Sequence, residues 1–186
     1  MDQLRRLGGG LSAVAGLCAL AAGCSGGAVS AGDGAALSAA DGQFVDCSHE
    51  TRATPYAPGT LVKSKNGVFD VTLVDNRPGL AAAQNPPGDW VKGSNTWDLE
   101  VTDAAGDDLA GLSIVTSPQM PDHGHGTSIT PVTTDEGSGR YVISPLYLYM
   151  GGYWEITLKI RPPAADAGVD AGLVPDSALF KVCIPD

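Results

Sequence analysis

Between Gln43 and Asp186 apolar and polar side chains alternate with a period of two. In the stretch 153–160, Trp154, Ile156, Leu158 and Ile160 fall on one face, while Glu155, Thr157 and Lys159 fall on the other. A period of two places successive side chains on opposite sides of a pleated strand, so this run predicts a half-buried strand. The same alternation sets Trp97, Leu99 and Val101 against Asp98, Glu100 and Thr102, and Phe69, Val71 and Leu73 against Asp70 and Thr72. Further strands are predicted at about 60–62, 109–116, 127–133, 140–144 and 179–184. Asn66-Gly67, the run from Ala104 to Asp108, and Glu136-Gly137-Ser138-Gly139 supply the turn chemistry between them. Apolar residues nowhere recur at helical spacing over three turns. The pattern predicts an all-β domain, an antiparallel immunoglobulin-like β-sandwich of seven or eight strands, with a closed barrel as the alternative. Two irregular stretches are read as loops: 75–93, with Pro78, Pro86 and Pro87, and 162–175, with a small Asp-Ala-Gly repeat at 166–172. The repeat lacks the dense carboxylates of a calcium loop and reads as a solvated connector.

The N-terminus has a different grammar. Arg5 and Arg6 precede a stretch without charge from Leu7 to Gly23, the layout of a secretory signal. That stretch is at the short edge of what could span a bilayer and ends in small residues, which favours cleavage. Leu20-Ala21-Ala22-Gly23-Cys24 resembles the lipobox of bacterial lipoproteins, which implies lipidation at Cys24. The expected organisation is a signal peptide over 1–23, a flexible tether over 24–42 and one folded domain over 43–186. The tether is nearly all small and polar residues without an aromatic, so it lacks the apolar area that order requires. The location expected is the cell envelope, lipid-anchored and facing the periplasm or exterior. Ser25 after the cysteine, where an Asp is absent, favours the outer membrane by resemblance to Gram-negative lipoproteins.

Charge narrows the partners. The full chain carries eleven basic and twenty-one acidic residues, and removal of Arg5, Arg6 and Asp2 leaves nine and twenty, a net charge of −11. Such a surface repels phosphate backbones and offers no polybasic patch for anionic lipid, so nucleic acid is not an expected partner. Cys18 leaves with the signal and Cys24 is lipidated, so Cys47 and Cys183 remain, and in an oxidising compartment the pair reads as a disulfide. Two metal-binding thiolates are the competing reading, with only His49 near Cys47 at chelating spacing.

One segment is rich in ligand types: Met120-Pro121-Asp122-His123-Gly124-His125-Gly126. Met150 lies in a second segment, 149–154. In an antiparallel sandwich connections alternate between the two ends, so the loops at 117–126 and 145–152 are expected at one end, joined there by 75–93. Thioether and imidazole donors together favour copper, Cu(I) especially, over hard ions. The metal set expected is Met120, His123, His125 and Met150, with Asp122 as a further ligand or as the acceptor orienting a histidine N–H. The alternative is that the histidines are solvated loop residues and the methionines fill the end of the core.

The run 97–160 carries a Trp-x-Leu-x-Val strand, the Met-Pro-Asp-His-Gly-His-Gly segment, Gly139-x-Tyr141 and Leu148-x-Met150-x-Gly152-x-Trp154. With these motifs the chain resembles the YtkA-like domain family, related to FixH-like proteins and similar in outline to periplasmic copper-handling sandwiches. The resemblance implies an exported immunoglobulin-like module, suspected of copper handling or of helping oxidase assembly. Met120, Pro121, His125, Gly126, Met150, Gly152 and Trp154 match the family motif, whereas His123 stands where many relatives have a second methionine.

No catalytic role is expected, because the sequence has neither a nucleophile elbow nor a paired-carboxylate signature. Three classes stay open: a copper-binding or copper-delivering lipoprotein; an interaction module docking an envelope protein through edge strands or Tyr147-Leu148-Tyr149; and a structural domain without ligand.

Overall fold

A computed structural model describes residues 45–79, 87–163 and 173–186. The expected signal peptide 1–23, the lipidation site Cys24, the tether 24–42 and the Asp-Ala-Gly repeat lie outside the described residues.

Among the described residues nine strands follow in chain order: β1 (Thr60–Lys63), β2 (Phe69–Pro78), β3 (Gly93–Asp103), β4 (Ser113–Met120), β5 (His125–Gly126), β6 (Val132–Gly137), β7 (Arg140–Leu148), β8 (Gly152–Arg161) and β9 (Asp176–Ile184). They form two antiparallel sheets, ordered β1-β2-β3-β7-β6 and β5-β4-β8-β9. The chain changes sheet at β3–β4, β5–β6, β7–β8 and nowhere pairs two parallel strands, so the described residues form a sandwich.

The expected strands hold, with shifts that have local causes. Gly111, at φ +76°, breaks the run predicted at 109–116, and β4 starts only at Ser113 and continues to Met120. Of the strand predicted at 127–133 only Val132 and Thr133 are paired, at the start of β6. Pro131 lacks the N–H a ladder needs, so pairing resumes at Val132, while His125 and Gly126 fold back on β4 as the short strand β5, which was not expected. β2 reaches Pro78 and β7 reaches Leu148, which shortens both neighbouring loops.

The alternating apolar residues meet between the sheets. Trp97, Leu99, Ile143, Trp154, Ile156 and Leu158 are fully buried. Trp97 of one sheet meets Phe180 of the other edge-on, with centroids 5.2 Å apart, an arrangement that aromatic quadrupoles favour. Tyr141 fastens the β3–β4 crossover: its hydroxyl donates to Leu109 O at 2.7 Å and accepts from Leu112 N at 3.0 Å.

Cys47 and Cys183 form the expected disulfide, with Cα atoms 5.6 Å apart across a sequence separation of 136. Cys183 lies opposite Tyr153, the second residue of β8. The bond therefore ties the N-terminal arm to the end of the sandwich where β8 begins. Gln119 pairs with Glu155, Gly93 with Leu148 and Gly152 with Ile184, so that same pole carries the end of β4, the 149–151 connection, the start of β3 and the end of β9.

Candidate metal centre

β4 ends at Met120 and turns through 121–124 into β5. His123 N and Gly124 N both bond Met120 O, at 3.1 and 2.9 Å, and Gly124 takes φ +68°, closing a four-residue turn. The turn makes Met120 and His125 direct cross-strand partners. Directly opposed residues share one face of a sheet with Cβ atoms about 5 Å apart. The sequence signal Met-x4-His thus becomes a thioether and an imidazole on one face.

Met120 is buried, and its terminal methyl rests where Gly152 has no side chain: a Cβ at residue 152 would stand 2.4 Å from Met120 Cε. Gly152 itself takes φ +123°, a conformation open to glycine almost alone. His125 is half-buried. Its ring stacks on Tyr149 with centroids 5.4 Å apart, meets Trp154 edge-on at 6.1 Å, and shares a hydrogen bond between Nδ1 and the Tyr149 hydroxyl at 3.0 Å. The ring of His123, exposed in the turn, lies 5.6 Å from that of His125. Met150 sits in the connection before β8, where Trp154 Nε1 donates to its carbonyl at 3.0 Å and its side chain packs against the core. All four expected ligands therefore stand at one pole, with Met120, His123 and His125 neighbours.

Asp122 is engaged elsewhere. Its two oxygens accept from Arg52 Nη1 and Nη2 at 2.8 and 2.7 Å, and Arg52 also binds Glu50 at 2.6 Å. The guanidinium holds both carboxyls below their ordinary pKa values and lies 4.1 Å over the Tyr153 ring. Tyr153 is raised to about 12 by burial first, then by its hydrogen bond to Glu155. Asp122 thus anchors the arm to the ligand-bearing turn.

A shallow depression of about 370 Å³ opens at this pole, walled by His49, Glu50, Met120, Asp122, His123 and Gly152 among others. His125 and Met150 stand outside its wall. His49, read from the sequence only as a neighbour of Cys47 in the metal-thiolate alternative, reaches this pole through the fold: the disulfide from Cys47 to the last strand carries the residue two positions on to where that strand ends. Among the described residues, no three His, Cys, Asp or Glu side chains are grouped to hold a metal ion. A centre here needs thioether sulfur.

The YtkA-like family model matches residues 78–159, from the end of β2 to near the end of β8. This segment is a YtkA-like domain. The YtkA-like segment contains Met120, His123, His125 and Met150; the arm with Cys47 and His49, and β9 with Cys183, lie outside it. No curated protein matches the chain. Among solved structures, a copper-bound variant of FetP from uropathogenic Escherichia coli is similar at 16% identity and a TM-score of 0.42, covering 69% of this chain and 97% of that one. The as-isolated form of uropathogenic E. coli FetP, produced recombinantly, gives 16% identity and a TM-score of 0.40, covering 72% of this chain and 98% of that one.

Proposed function

We propose that this chain is a non-catalytic cell-envelope lipoprotein, anchored through Cys24, whose YtkA-like domain binds or delivers copper as Cu(I). The observation that carries the reading is the opposition of Met120 and His125 across the β4–β5 turn, with the His123 ring 5.6 Å from its neighbour. The donor chemistry fits: a thioether with two imidazoles suits soft Cu(I), whereas zinc takes thioether poorly and calcium takes oxygen. Met120, His123 and His125 would hold the ion, and Met150 stands ready at the edge of the same pole. When bound, copper would supply a transferable cation for an envelope partner. The buried Met120 fixes one donor, and Tyr149 orients His125 by stacking and by its hydroxyl.

The test is competition between the full chain and a Cu(I) chelator with ascorbate as reductant, which leaves the disulfide closed. Wild type should withdraw Cu(I) from the chelator. Met120→Leu, nearly equal in volume, should weaken that withdrawal while costing less than about 1.5 kcal/mol of stability. A wild-type chain that leaves the chelator fully loaded removes the copper reading.

A further inference from the structure

Resting on the copper reading above, we infer that His49, carried by the arm outside the YtkA-like segment, is a further imidazole ligand of the same centre, presented by the Cys47–Cys183 disulfide. His49 ends a single 3-10 turn, Cys47–His49, and is exposed. Asp46 caps that turn, accepting from Ser48 N at 2.9 Å and from Ser48 Oγ at 2.8 Å. A three-residue turn does not hold a position by itself, and four ties from outside hold this one. Val45 N donates to Asp186 Oδ2 at 2.9 Å; Cys47 is bonded to Cys183; Arg52 grips Asp122; and Thr54 N donates to Lys181 O at 2.8 Å.

These ties are placed on both sides of the depression. The disulfide fixes the arm to the end of β9, beside the start of β8, and Arg52 fixes it against the turn that bears His123. Between them His49 and His123 wall one depression with Met120. The same wall carries the carboxylates of Asp46, Glu50 and Asp122; the last two share the single charge of Arg52, so the three together keep the wall net negative. Since among the described residues no three His, Cys, Asp or Glu groups are gathered to hold a metal ion, closure requires the sulfur of Met120 together with the exposed rings of His49 and His123, which wall the same depression.

The experiment is the Cu(I) competition on the full chain, wild type against His49→Ala and His123→Ala, with X-ray absorption counting the imidazoles around copper. His49→Ala should raise the Cu(I) dissociation constant by at least about tenfold. It should also remove one imidazole from the absorption spectrum, and added free imidazole should restore part of the affinity. If His123→Ala weakens binding while His49→Ala matches wild type in affinity and imidazole count, His49 is no ligand and the copper reading stands. If wild type itself fails to take Cu(I), that reading falls and this inference with it.

Discussion

Replacing Gly152 with alanine probes the support under Met120. Two effects add. The backbone at residue 152 sits at φ +123°, where a non-glycine residue costs about 1–3 kcal/mol. The new Cβ would lie 2.4 Å from Met120 Cε, so the thioether must swing away from the place it now fills. The methyl is the free end of a flexible chain and can yield, which keeps the second cost small and leaves the backbone dominant. A total of about 2 kcal/mol is expected, or a drop in Tm of about 4–8 °C for a domain of this size. Urea unfolding followed by tryptophan fluorescence measures the first effect, and Cu(I) competition on the still-folded variant measures the displaced sulfur. The variant should be both less stable and a weaker copper binder. An unfolding free energy within about 0.5 kcal/mol of wild type would show that residue 152 is not held in its glycine-only conformation, and the argument for a positioned Met120 would fail with it.

Other outcomes follow from the same geometry. Replacing both cysteines, Cys47→Ser with Cys183→Ser, should cost about 2–5 kcal/mol in denaturant unfolding, because the bond closes a long loop; an unchanged midpoint would refute a stabilising role. Asp122 and Glu50 have lowered pKa values because of Arg52, so their contribution is full above the unfolded values of 3.8 and 4.5 and is lost as pH falls through the lower folded values. Exchange protection of the arm amides, corrected for intrinsic rates, should therefore fall as pH drops below about 4.5; Arg52→Ala should flatten that fall without removing it, since Asp46 and Asp186, which also hold the arm, have lowered pKa values of their own. Tyr149→Phe should leave stability within about 0.5 kcal/mol, yet change the NMR signals of the His125 ring nitrogens, since it removes the hydroxyl that Nδ1 meets. Gly126→Ala would bring a Cβ within 2.7 Å of Pro118 O, so the β4–β5 pairing should loosen and the amides of 125 and 126 should lose exchange protection.

Much of the sandwich was legible because period-two alternation follows from burying one face of a strand. Trp154 to Ile160 and Phe69 to Leu73 behave as that rule demands. The shared pole was legible too, since antiparallel strands reverse at each connection, and the turns at 104–106 and 137–139 mark the other end. The boundaries near Gly111 and Pro131 were not, because a single backbone-specific residue overrode an apolar pattern that otherwise read as strand. The partner of Asp122 was hidden for another reason. Arg52 lies seventy positions away, and nothing in local sequence marks a long cation for a given carboxylate. His49 was placed by a covalent bond, not by pattern; its role depends on where Cys183 falls in β9, which only strand register reveals.

The arm is moored covalently at Cys47, by hydrogen bonds from the backbone of Val45 and Thr54, and through exposed ion pairs at Arg52. Ionic strength acts on only one of these. At about 1 M salt the screening length shrinks to roughly 3 Å, so the grip on Asp122 slackens while the sulfur bond does not. Between the fixed points at Cys47 and Thr54 only the stretch around Arg52 would then loosen, and His49, two residues from the disulfide, would travel less than Arg52. Brine should therefore loosen the rim of the depression before it disturbs the imidazole beside the bond.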